Sequence, residues 1–330
     1  MNRRDIHKVA GAPLPKWTPE RSIAVMDVNG VETAITSLSA PGVYFGNLAE
    51  ARELARRCNE FAAEMRERYR GRFGSFAVLP MPFTEPACIE AEYALDRLNA
   101  DGIVLLGSTL GDPSFDELMA ELERRRATVF VHPNLHVSSE ALGLDTPGFL
   151  IEFLCDTTRG ALNLILSGTL EKYSSIRWIL AHAGGFLPYV AWRVSLANLM
   201  RPYDERAPQG VLTYVKRFYY DTALSPSRYS MAVLEELVEP SHILFGSDFP
   251  FAPEALTALQ TKTLDESLGA SAERKRGIGR DHALALFPRY RKAEEAVDEA
   301  RRFGPLTVRG RAQRFVTRPL VAVAEYLRNR

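Results

Sequence analysis

The stretch Ile176-Arg-Trp-Ile-Leu-Ala-His182, followed at once by Ala-Gly-Gly at 183–185, decides how the rest of the chain is read. Its apolar residues run together instead of alternating with polar ones, the pattern of a strand covered on both faces. It ends in a histidine just before a glycine-rich turn. Working outward, TVFVH (128–132) repeats the form, again closing on a histidine. Upstream lie GIVLL (102–106), FAVLP (76–80) and TAITSLS (33–39), the last ended by Ala-Pro-Gly at 40–42. Downstream lie FYYD (218–221) and ILFG (243–246). The segments between are amphipathic with a period near 3.6 and predict helices. These run over about Leu48–Tyr69, Pro86–Leu98, Phe115–Arg126 with Asp112-Pro113 as its start, Pro147–Leu170, from Pro188, and Tyr229–Leu237.

Seven strands joined by helical crossovers predict a parallel sheet with its helices outside. The expected fold is α/β, a (β/α)8 TIM-type barrel lacking its first strand; an open doubly wound sheet is the competing architecture. Residues 1–290 are assigned to the barrel and 291–330 to a C-terminal helical extension, arginine-rich and ending in the apolar LVAVAEYL. The extension is expected to pack on the barrel or on another subunit, its arginines forming a solvated face.

With 41 basic and 41 acidic residues the formal charge is zero, so no overall field favours nucleic acid or an anionic membrane. Cys58, Cys88 and Cys155 form no CxxC pair, which argues against a disulfide framework and a thiolate zinc site. MNRRDIHKVAGAPLPKW has no signal-peptide apolar core, and no stretch approaches the roughly 18 apolar residues of a membrane span. A cytoplasmic protein with a small-molecule substrate is the expectation.

Chemistry is expected at the strand ends. His132 and His182 close their strands and Asp248 sits just past ILFGS. Side chains at the carboxyl ends of parallel barrel strands converge on the mouth where active sites form. Imidazole and carboxylate are metal ligands, and three of them leave a position for water or substrate. A histidine off the metal can move protons near neutral pH. Taken singly, each residue also fits a structural role, and Asp248 could cap a following helix. His242 starts its strand and is read as structural. His136 is expected to be exposed in a loop near the mouth, His282 to cap or pack at a helix start, and His7 to have no role.

Several segments together resemble a known family: RFGSFAVLPMP, ADGIVLL, GDPSFDELMAELERRRATVFVHP, DTTRGALNLILSG, WILAHAGGFLPYVAWR and ILFGSDFPF. They are similar to the amidohydrolase-related decarboxylases of the aminocarboxymuconate-semialdehyde decarboxylase type, which include γ-resorcylate and 6-methylsalicylate decarboxylases. The resemblance spans about Trp17 to Arg289. It implies a (β/α)8 barrel with one divalent metal, zinc first and manganese second, bound by His132 and Asp248. It makes His182 the acid/base residue. It also implies that Arg193 reaches a neighbouring subunit's site to hold a substrate carboxylate, that Phe251 is an aromatic wall, and that the protein is a homodimer. The implied activity is non-oxidative decarboxylation of an aromatic or unsaturated carboxylic acid. Two departures stand out. The loop GSTLGDP is shorter than in close relatives, and the His-x-His or Glu-x-His strand that opens such barrels is missing. The chain is therefore expected to start late, through truncation or through genuine loss. The alternatives are a hydrolase or hydratase on the same barrel, and a non-catalytic relative.

Overall fold

In the computed structural model the described residues are 6–107, 110–141, 143 and 145–292. The expected extension beyond residue 292 lies outside them. A short antiparallel hairpin, β1 (Lys8–Val9) and β2 (Ala12–Pro13), precedes the main sheet. The sheet contains β3 (Ala34–Ser37), β4 (Phe73–Val78), β5 (Gly102–Leu106), β6 (Thr128–His132), β7 (Arg177–Leu180), β8 (Tyr219–Asp221) and β9 (Ile243–Leu244). Every neighbouring pair is parallel, and the spatial order equals the chain order. A doubly wound sheet reverses its order part-way. This one never does, so the barrel reading holds.

The strands look uniformly apolar because each feeds two cores. Side chains alternate across a strand. Phe76, Val78, Val104, Ile179 and Leu244 point inward, with Phe76 stacked on Phe130 at 5.4 Å between ring centres. Ala77, Ile103, Leu105, Val129, Val131, Trp178 and Leu180 point outward, packing with helix residues such as Leu118, Leu122 and Leu164.

The two layers close differently. β3 and β9 are the sheet's edges, and among the described residues neither pairs with a further strand. The helix layer nevertheless spans that gap. Helix Pro19–Asn29 packs against helix Glu254–Leu268, with Arg21 Nε 2.9 Å from Glu254 Oε1. Beneath these helices a cavity of about 770 Å³ runs from Trp17 and Phe73 at the strand starts to His132, His182 and Asp248 at the strand ends.

Several helices differ from the sequence reading, among them Glu254–Leu268, which it did not contain. The helix expected over 147–170 is Glu152–Leu166 followed by the turn Thr169–Lys172, because Gly168 (φ 85°) breaks it. The segment 86–98 is helical from Thr84 to Glu92, then widens to a π turn over Tyr93–Arg97. Helix Pro19–Asn29 was overlooked although it carries its own signals. Thr18 caps it by accepting the Arg21 amide, Pro19 opens it, and Gly30 ends it at φ 71°.

Candidate active site

His132 ends β6 and His182 follows β7; both rings are buried. Asp248 stands four residues past Leu244, the end of β9. One ligand atom from each of the three lies within 4.8 Å of the others. The two imidazoles meet edge to face at 5.4 Å between ring centres, and Phe153 packs on His132 at 5.8 Å.

Local structure fixes what each ring presents. His132 Nδ1 donates to the carbonyl of Pro133 at 2.8 Å, which leaves the Nε2 lone pair for the cluster. Asp156, on helix Glu152–Leu166, accepts the Asn134 amide at 2.8 Å and so pins the loop just past His132. His182 Nδ1 is buried and has no hydrogen-bond partner among the described residues. His182 and Ala183 have φ of 55° and 54°, and Asp248 has 55°. Such conformations cost about 1–3 kcal/mol each in non-glycine residues and persist where the surroundings enforce them.

The enforcing groups are visible. Asp221, the last residue of β8, accepts the amides of His182 at 2.8 Å and of Ala223 at 3.0 Å through Oδ1. Gln260 accepts the Leu224 amide at 2.5 Å and donates to the Ser247 carbonyl at 2.9 Å, tying the loop after β8 to the loop that carries Asp248. The Asp248 carboxyl caps no helix: the helix at Glu254 is preceded by Pro253.

Burial sets the protonation states. Desolvation lowers the pKa of His132 to about 4 and, helped by His132 itself, that of His182 to about 3, so both rings are neutral at pH 7. Desolvation raises Asp221 to about 6. It raises Asp248 to about 7, with the Asp221 charge adding to the effect. Two neutral imidazoles, an unspent ring nitrogen and a carboxyl starved of positive charge fit a divalent cation.

A sequence profile described as Amidohydrolase matches residues 6–289. The chain belongs to the amidohydrolase family. It is 36% identical to decarboxylase macB of Penicillium terrestre, over 88% of this chain and 96% of that protein. It is 35% identical to 6-methylsalicylic acid decarboxylase acuB of Aspergillus aculeatus, over 86% of this chain and 90% of that protein. Among solved structures it resembles a dihydroxybenzoic acid decarboxylase from Polaromonas sp. JS666 holding manganese and the inhibitor 2-nitroresorcinol. That match has a TM-score of 0.74 and 27% identity, over 82% of this chain and 86% of that one.

The remaining expected residues separate by place. Phe251 lines the cavity. Arg193 is exposed on helix Leu187–Ser195, outside the cavity lining, and no described carboxylate pairs with it. His136 was expected to be exposed but is half-buried, with Nδ1 2.7 Å from Ser138 Oγ. His242 Nδ1 is bonded to the Phe218 carbonyl at 3.0 Å and His282 Nδ1 to the Ile243 carbonyl at 2.9 Å, both structural. Sequence reasoning missed Asp221, Asp156 and Gln260. Asp221 was within its reach, since FYYD ends on a strand-end carboxylate by the same rule that singled out His132. The other two sit inside helices and carry no local signal.

Proposed function

We propose that this protein is a metal-dependent, non-oxidative decarboxylase of an aromatic or unsaturated carboxylic acid with an oxygen substituent beside the carboxylate. The reading rests on one observation: the ends of three different strands bring ligand atoms of His132, His182 and Asp248 within 4.8 Å of one another. His132 through Nε2 and Asp248 through a carboxylate oxygen would hold one divalent ion, zinc in first place and manganese in second. When bound, the ion supplies electrostatic stabilisation of charge that builds on the substrate's oxygens.

The other tasks belong to the chain. Phe251 walls the cavity against the substrate ring. The bond between the ring carbon and the carboxylate breaks, and its electron pair takes up a proton from the Asp248 carboxyl or from His182. Carbon dioxide leaves, so one carboxylate and one proton yield one C–H bond and one CO₂.

Arg193 acts on the partner's site in a homodimer. Tyr189, Trp192, Leu196 and Leu199 recur at helical spacing on the same side and are 82%, 70%, 42% and 83% exposed. An apolar stripe of this kind beside a free guanidinium suits a second copy of the chain and a bidentate grip on a substrate carboxylate. No described helix is long and apolar enough to cross a membrane. The three unbridged cysteines support a cytoplasmic location.

The test is product analysis. Protein loaded with Zn²⁺ or Mn²⁺ is given 6-methylsalicylate or 2,6-dihydroxybenzoate, and CO₂ and the aromatic product are measured together. Equal amounts of CO₂ and decarboxylated arene are expected. A ring-opened or hydrated product without CO₂ would make the protein a hydrolase or hydratase. Stoichiometric metal binding would count against a non-catalytic relative.

A further inference from the structure

Asp221 is buried at the end of β8, beside β7, and its carboxylate is turned into backbone. Oδ1 accepts the His182 amide at 2.8 Å and the Ala223 amide at 3.0 Å. His182, Ala183, Gly184 and Gly185 all have positive φ, 55°, 54°, 75° and 64°. The Gly184 and Gly185 amides close the turn on the Ala181 and His182 carbonyls at 3.0 Å, and the His182 amide is left for Asp221. Without it the two non-glycine residues lose what keeps them out of their preferred conformations.

The same carboxylate backs the loop of Asp248. A Cβ placed on Gly246 would lie 3.0 Å from Asp221 Cγ and Oδ2, so residue 246 lacks a side chain where Asp221 needs the room. Asp248 is two residues further on. One side chain therefore fixes the backbone under His182 and sets the approach of the strand end that carries Asp248.

We infer that Asp221 is the positioning residue of the site: it holds the strained His182 turn against the β9 loop, and so sets the His182 imidazole in register with His132 and Asp248. It acts through backbone amides. The metal and turnover readouts below rest on the decarboxylase reading; the ring-resonance readout does not.

Asp221→Ala removes the acceptor, whereas Asp221→Asn keeps an oxygen that can accept the same amides. In protein labelled at histidine ring carbons, Asp221→Ala is expected to move the His182 resonance while that of His242 stays in place. Asp221→Asn should leave both near their wild-type positions. Mn²⁺ affinity, read by electron paramagnetic resonance, should fall roughly 10–100-fold in Asp221→Ala, with kcat falling by a similar factor and KM by much less. Asp221→Asn should recover most of both losses. Where Asp221→Ala fails to fold, Gly246→Ala, which pushes a methyl group against the carboxylate, should weaken Mn²⁺ binding and shift the His182 resonance in the same sense.

An unmoved His182 resonance in folded Asp221→Ala or in Gly246→Ala overturns the proposal. So does an Asp221→Asn protein as damaged as Asp221→Ala, since charge would then matter more than backbone acceptance. Wild-type protein that neither binds Mn²⁺ nor releases CO₂ sinks the functional reading alone, and the ring resonances still decide the role of Asp221.

Discussion

The two ends of the barrel use the same residue types in opposite ways. At the floor, most polar side chains are spent on structure, although Thr128 Oγ1 and Asp101 Oδ1 are buried without a hydrogen bond among the described residues. Asp101 accepts the Ser75 amide and the Tyr290 hydroxyl, both at 2.8 Å, and Arg289 lies 3.3 Å from its other oxygen. Glu123 accepts the amides of Ser175 and Ile176. His242 bonds the Phe218 carbonyl and stacks on Tyr219 at 4.2 Å. At the mouth, His182 Nδ1 is buried without a partner, Asp248 lies near a second carboxyl, and the backbone under both residues is left-handed. A satisfied buried polar group stabilises the fold. Unsatisfied atoms occur at both ends, and among the described residues only at the mouth does one belong to a cluster of possible metal ligands.

Histidine replacement at the two ends gives the sharpest contrast. His182→Ala is expected to lower kcat by about 10³-fold or more while circular dichroism and melting stay close to wild type. His242→Ala should do the reverse, keeping kcat while costing about 1–2 kcal/mol of stability through the lost hydrogen bond and stacking. Equal loss of turnover in the two variants would erase the distinction between mouth and floor.

Arg193→Ala comes next. It should raise KM for the carboxylate substrate roughly 10–100-fold, the worth of one charge-assisted contact, with little change in kcat. Mixing Arg193→Ala with His182→Ala protein should restore part of the activity if the arginine serves the partner's site. A KM that does not move would detach Arg193 from the substrate.

The pH dependence of metal binding is a smaller, graded effect. Mn²⁺ competes with the proton on Asp248, whose pKa is about 7 in the metal-free protein, while His132 and His182, at about 4 and 3, are already neutral. Affinity measured by calorimetry should be flat above pH 7 and fall by about tenfold per unit just below it. Flat affinity between pH 5 and 8 would place the ion away from Asp248.

The smallest effect concerns stability without metal. The folded pKa of Asp248 is raised above its unfolded value, so its contribution is fully present below about pH 4 and is lost as pH rises through about 7. Metal-free Asp248→Asn, which never charges, should melt like wild type near pH 4 and higher by roughly 2–6 °C at pH 8. The opposite sign would mean that Asp248 is better solvated than its surroundings imply.

The amino-acid sequence by itself determined the alternation of strand and helix, the parallel order, and the strand ends on which His132 and His182 stand. These are local matters: apolar runs, turn residues and the side-chain period are written within a few neighbouring positions. Tertiary structure alone decided which polar atoms stay unspent. Whether His182 Nδ1 finds a partner, whether Asp221 reaches amides 39 residues away, and whether Gln260 spans two loops depend on how the sheet curls. The same holds for Gly246, whose missing side chain makes sense only beside Asp221. Such contacts join residues far apart along the chain, and no local pattern encodes the curvature that brings them together.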